Sequence, residues 1–173
     1  MLLDKNRNVT KIITTGSLIT ALSIIVFYLA PIFQTTTLAL SALAGCVLFY
    51  TIIKFGKAPS ILIYISVSII GILIVPDKSV VISYIAFFGI YPFVKNIIES
   101  INRLYIEWIL KLLFFNAILT VLLVLFKSLL YMGDIEVPIY IIYPLFNFAF
   151  IVYDIAFSNV IAFMVKRFGR LFK

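Results

Sequence analysis

The sequence predicts an all-α integral membrane protein with six transmembrane helices in one bundle, and three observations carry that expectation. Hydrophobic residues make up 64% of the chain and charged residues 12%, against about 25% charged in soluble domains, and the mean hydropathy is +1.22. The apolar stretches are apolar on every side, which excludes a β-barrel, whose segments of about ten residues alternate between apolar and polar. The basic residues gather at alternate ends of those stretches. A span needs about 20 residues, so 173 residues accommodate six spans and short loops as a single transmembrane domain over 1–173, with no soluble domain beside them.

The first helix is expected over residues 12–33. It follows the polar opening that carries Asp4, Lys5, Arg7 and Lys11; its apolar run is too long for a signal peptide and no Ala-x-Ala site ends it. Pro31 lies near its far end. Gln34 and three threonines turn the chain into a second helix over 38–55, closed by Lys54 and Lys57. Pro59 suits the first turn of a third helix over 59–75, where its missing N–H is not needed. The fourth helix, 79–95, lies within the stretch from Pro76 to Glu99, an irregular span interrupted by Gly89 and Pro92. Irregular backbone at membrane depth has to be covered by protein or to line a cavity, so its upper part around Lys78 and Tyr84 reads as a cavity wall. Its Gly89 to Pro92 break reads as a flexible joint toward a short interfacial helix between the fourth and fifth spans, where Glu99, Arg103 and Glu107 oppose Ile97, Ile98, Ile101 and Leu104. The fifth helix is expected over 106–130, with Glu107 and Lys111 spaced as an i,i+4 pair. After the acidic loop with Asp134 and Glu136, the sixth runs over 138–165 and stops at Lys166 and Arg167.

Sorted by these spans, twelve of the fourteen Lys and Arg residues fall on one face, leaving Lys78 and Lys127 for the other. The positive-inside rule then puts both termini in the cytoplasm and the membrane is read as a bacterial cytoplasmic membrane. The same placement assigns the net charge of +7 to membrane topology and not to nucleic acid. With no histidine and a single cysteine, Cys46, the chain lacks zinc or haem ligands, an internal disulfide and a Cys/His catalytic pair. No phosphate loop, acidic metal cluster or nucleophile motif is present, so neither enzymatic activity nor a cofactor or metal is expected.

An ionisable group at the bilayer centre costs at least about 2.5–3.5 kcal/mol, which makes each one a candidate for function. Asp154 lies 12 residues before Lys166, about 18 Å from the cytoplasmic boundary at 1.5 Å per residue. Lys127 sits nearer the outside, and the two side chains lean toward each other along antiparallel helices. A direct or water-bridged pair is expected; in the alternative, Lys127 snorkels outward and Asp154 is protonated or hydrogen-bonded to a neighbouring helix. Tyr143, Asn147, Asp154 and Ser158 form one helical stripe, and Asn116, Thr120 and Lys127 form another. The stripes either line an inward seam or glue helices together at about 0.6 kcal/mol per group. Gln34, Lys78, Tyr84, Lys127, Tyr140, Tyr143, Asn147 and Asp154 are the candidate ligand-binding residues of a site open to the outside, although aromatics at that height also suit an interface belt. Gly16, Ser17, Thr20 and Ala21 offer small-xxx-small spacing for a partner helix.

The run from Lys11 to Ala21, with small residues just inside a cytoplasmic lysine, together with six short-looped helices and the chain length, resembles the substrate-binding S components of energy-coupling factor (ECF) vitamin transporters. Ser17 and Ala21 stand where that family commonly has Ala-x-x-x-Ala, while its Gly-Pro-x-x-Gly turn is replaced here by Phe55-Gly56-Lys57-Ala58-Pro59. The run from Pro76 to Lys95 resembles a pattern in a clostridial membrane family with no assigned substrate. The resemblance implies a subunit that binds a small vitamin- or nutrient-like molecule and delivers it together with a transmembrane coupling subunit and ATPase subunits, docking through Gly16, Ser17, Thr20 and Ala21. A competing expectation is a non-transporting envelope scaffold similar in size and span count to the cell-shape protein MreD, in which the polar stripes are filled by protein contacts. An ion-coupled carrier using Asp154 would want inverted repeats, and the two halves do not repeat.

Overall fold

The computed structural model describes residues 2–31, 37–129 and 139–168. Every regular element among them is helical: α1 (Leu2–Tyr28), α2 (Thr37–Phe55), α3 (Lys57–Ile74), α4 (Lys78–Ser83), α5 (Tyr91–Ile98), α6 (Leu104–Leu129) and α7 (Ile139–Phe168). Among the described residues, six stretches are long and apolar enough to cross a membrane, the fourth running from Lys78 to Ile101 through α4 and α5. α1 begins at Leu2, ahead of the expected start, because polar residues that would be poor in lipid still propagate a helix; its apolar stretch starts at Val9. It stops at Tyr28, short of the expected end at 33, since Pro31 has no N–H to give Phe27 and disfavours helical geometry at Ala30. The last turn tightens instead, with Leu29 donating to Val26 and Ala30 to Phe27.

The chain divides into two compact units, Met1–Val94 with Met164–Lys173, and Lys95–Phe163. In the first unit, Ile19 and Phe27 of α1, Leu48 of α2, Ile63 and Val67 of α3 and Val80 of α4 form the core. Between apolar helices in lipid there is no hydrophobic driving force, so close packing and hydrogen bonds must hold them. Both occur here. Ser41 Oγ on α2 donates to the Val80 carbonyl at 2.9 Å, and Thr51 Oγ1 donates to Ser60 Oγ on α3 at 2.8 Å. A Cβ at Gly45 would collide with the carbonyl oxygen of Phe88, so only glycine allows α2 to approach that backbone.

The irregular fourth span has a definite form. Between α4 and α5 the helix widens into one π turn over Tyr84–Phe88, closed by Gly89 N–H on the Tyr84 carbonyl at 2.7 Å. A Cβ at Gly89 would lie 2.5 Å from Cε2 of Tyr64 and 3.0 Å from Cζ of Tyr84, so this glycine is required by two aromatic rings packed over it. Pro92 is fully buried in the first turn of α5, where no N–H is needed. The break expected as a flexible joint is thus buried, with Gly89 under two aromatic rings and Pro92 inside.

The expected interfacial helix over 96–108 is absent as a separate element. α5 runs to Ile98 and tightens into a 3₁₀ turn over Glu99–Ile101; Asn102 then turns left-handed at φ 55, and α6 begins at Leu104. In the second unit α6 and α7 present large apolar side chains outward, Leu113, Val121, Phe148 and Val152 among them. α7 continues through Pro144, whose missing N–H leaves the Tyr140 carbonyl without its helical partner.

Candidate functional site: a ring of four charges

The second unit contains four charged side chains that close on one another. Lys95 on α5 and Glu99, four residues on, share a helical face, and Lys95 Nζ lies 2.7 Å from Glu99 Oε1. Lys111 on α6 reaches the same Glu99 oxygen at 2.8 Å. Asp154 on α7 lies between the two lysines, with Oδ1 2.5 Å from Lys95 and Oδ2 2.9 Å from Lys111. The order Lys95, Asp154, Lys111, Glu99 alternates in sign around a closed ring and sums to zero.

Burial makes the alternation necessary. The side chains of Lys95, Lys111 and Asp154 are 0%, 5% and 3% exposed, against 38% for Glu99. An isolated buried charge carries a penalty of several kcal/mol, offset only by good geometry and filled hydrogen bonds. Lys95 uses all three of its N–H donors, on Asp154, Glu99 and Ser158 Oγ, the last at 2.9 Å. Aromatic faces complete the surroundings, with Phe157 5.8 Å from Lys95 Nζ and Trp108 5.5 Å from Lys111 Nζ, distances at which a ring face attracts a cation.

Asp154 is paired with Lys95 and Lys111, partners the sequence reading did not assign to it; the expected partner Lys127 has its side chain outside the described residues. Lys111, expected to pair with Glu107, engages Glu99 and Asp154 instead. The positive-inside sorting hid this arrangement by assigning Lys95, Glu99 and Lys111 to the cytoplasmic surface. A depth count was the available signal: Lys111 lies seven residues into α6, about 10 Å beyond its start.

Parts of the two polar stripes meet between α6 and α7. Asn116 and Asn147 exchange amide hydrogen bonds at 2.9 and 3.0 Å, the Thr120 and Tyr143 hydroxyls are hydrogen-bonded at 2.9 Å, and Phe115 stacks on Phe150 at 4.5 Å. Tyr140, the remaining candidate of this unit, is exposed. In the first unit, Lys78 Nζ donates to the carbonyls of Ile72 and Val75 at 2.6 and 2.7 Å, which caps the C-terminal end of α3 where a cation is favoured. Tyr84 is fully buried, and its hydroxyl has no hydrogen-bond partner among the described residues. Gln34 lies outside the described residues. Among the described candidate ligand residues, Lys78 caps a helix, Tyr84 packs between aromatic rings, Tyr143 and Asn147 join α6 to α7, and Asp154 belongs to the charge ring.

The expected docking residues lie together. Gly16, Ser17, Thr20 and Ala21 line an open groove of about 920 Å³ between α1 and α3, with Pro59 and Ile63 on its other side. Thr20 is buried and returns its hydroxyl to the Gly16 carbonyl at 2.9 Å, whereas Ser17 and Ala21 are exposed. No family model, curated protein or solved structure matches the chain.

Proposed function

We propose that this protein is a non-catalytic membrane subunit that works by holding another membrane protein, a scaffold of the kind MreD represents, in a bacterial cytoplasmic membrane with both termini on the cytoplasmic side. One observation carries the reading: polar side chains that a solute site would need are engaged by neighbouring helices. Tyr143 is taken by Thr120, Asn147 by Asn116, Asp154 by two lysines, and Lys78 by the end of α3. In lipid such contacts fix one helix arrangement, as a scaffold requires. The surface offered to the partner is the α1 face with Ser17 and Ala21, whose small side chains let a partner helix approach closely.

A second reading, the ECF-type uptake subunit, is favoured by that same face, because the resemblance assigns docking of the coupling subunit to Gly16, Ser17, Thr20 and Ala21, and these residues line the open groove. Purification of the tagged full-length chain in mild detergent, with mass spectrometry of both proteins and small molecules, separates the two. The scaffold reading expects envelope membrane proteins and no stoichiometric ligand. Recovery of one small molecule together with ATPase subunits would overturn it in favour of uptake.

A further inference from the structure

Two ammonium groups converge on a single anionic oxygen in this protein. Glu99 Oε1 lies 2.7 Å from Lys95 Nζ and 2.8 Å from Lys111 Nζ, and Asp154 holds both lysines from the other side. Glu99 is the one ring member with substantial exposure, at 38%. It opens a 3₁₀ turn that ends at the left-handed Asn102, so its backbone is not locked within a long helix. Removing its carboxylate would leave the other three groups with a net charge of +1 around an opening. Ser100, Asn102 and Arg103 are exposed beside it, followed by Leu104 and Tyr105, 73% and 88% exposed. Lys111 leans toward the N-terminal end of α6, as helical side chains do, and so toward this same edge.

We infer that the Glu99 position is an anion site that a phospholipid phosphate enters by displacing the Glu99 carboxylate. One phosphate oxygen takes the place of Oε1 between Lys95 and Lys111, Arg103 receives a second, and the acyl chains lie along the exposed apolar residues that follow. A phosphodiester carries a single negative charge, so the exchange restores the neutrality of the ring. A headgroup with no compensating cation, such as phosphatidylglycerol, fits this chemistry better than phosphatidylcholine, whose choline would face Arg103. The inference is independent of the scaffold reading, since it concerns a lipid at α5 and α6 and not a protein at α1.

The test is lipid binding to the full chain, measured by native mass spectrometry from micelles containing phosphatidylglycerol and phosphatidylcholine. Wild type is expected to retain phosphatidylglycerol preferentially. Glu99→Gln, which removes the internal competitor, is expected to bind it on the order of fivefold more tightly, the effect of one unit of charge near the membrane surface, with phosphatidylcholine unchanged. A purely structural Glu99 gives no such gain, so equal phosphatidylglycerol binding in wild type and Glu99→Gln overturns the inference, as does a matching rise for phosphatidylcholine. If Glu99→Gln fails to fold, Arg103→Gln in the intact ring serves instead: weaker phosphatidylglycerol retention supports the site, and unchanged retention overturns it. Inorganic phosphate that competes with phosphatidylglycerol at millimolar concentration would overturn the lipid assignment in favour of a soluble phosphate.

Discussion

Asp154→Asn tests the charge ring most directly, because it keeps the shape of the side chain while removing its charge. In the substituted protein Lys95, with a fully buried side chain, and Lys111, 5% exposed, would be left, among the described residues, with Glu99 as their shared counter-charge. Breaking a buried ion pair by removing one partner costs about 3–5 kcal/mol. Glu99 and Ser158 still satisfy part of Lys95, which places the expected loss near the lower end, at about 3 kcal/mol. Trp108, the only tryptophan of the chain, lies against Lys111, so its fluorescence during denaturant titration in detergent micelles reports on this unit. The second arm is the double substitution Asp154→Asn with Lys111→Met, which returns the group to zero net charge. Coupling between neighbours in one network is about 0.5–3 kcal/mol, and the double variant is expected to regain at least half of the loss. A loss below about 1 kcal/mol for the single variant, within the range of a surface ion pair, would refute the reasoning. So would a double variant less stable than the single one.

Gly45→Ala is expected to destabilise the first unit by about 1–3 kcal/mol through overpacking, because the new methyl meets the Phe88 backbone and not a movable side chain; thermal unfolding in micelles measures it. Gly89→Ala should cost a similar amount, and Gly89→Ala with Tyr64→Ala should recover part of it, since Tyr64 is the nearest obstacle; an unrecovered double variant would show that the backbone, not the ring, requires glycine. Asn116→Leu should cost about 0.6–1.7 kcal/mol, and adding Asn147→Leu should cost less than the sum of the two single losses, because the amides bond each other. Ala21→Leu fills the α1–α3 groove from an exposed position; it is expected to leave unfolding unchanged while reducing partner recovery in the purification experiment at least about fivefold, the effect of about 1 kcal/mol of lost helix packing.

The six spans were legible because each is a run of apolar residues of membrane length, a signal that survives ignorance of every contact. The α6–α7 seam was legible for a related reason: Asn116 with Thr120, and Tyr143 with Asn147, recur at helical spacing, and two stripes in adjacent helices of lipid have few partners except each other. The π turn was only half legible. Gly89 and Pro92 mark an interruption, but the close approach of Tyr64 and Tyr84 to Gly89 involves α3, which sequence spacing does not align with α4. Lys95 and Lys111 were missed as partners of Asp154 because charge was sorted by span ends. Lys95 and Lys111 each fit the positive-inside pattern by their position near helix ends, yet both side chains are buried. Long lysine stems let a residue near a helix end carry its charge inward as readily as outward.

The two units solve the same problem by different means, and the difference predicts how they respond to change. In the first, hydroxyls bonded to backbone or to each other, and a glycine pressed on a carbonyl, bring helices close. These contacts depend on fit, so any added methyl is felt while a change of charge state is not. In the second, α6 and α7 meet through side chains that span the gap: a lysine to an aspartate, an amide to an amide, a hydroxyl to a phenol. Such contacts depend on chemistry, so an isosteric loss of charge or amide matters more than a change of volume. Leu113→Ala, at an exposed position facing away from the ring, should therefore be nearly silent to Trp108, whereas Asp154→Asn, which removes no volume, should not. If instead both shift the Trp108 transition equally, α6 and α7 are held by apolar packing, and the charge ring is an accommodation of buried groups and not the source of the helix arrangement.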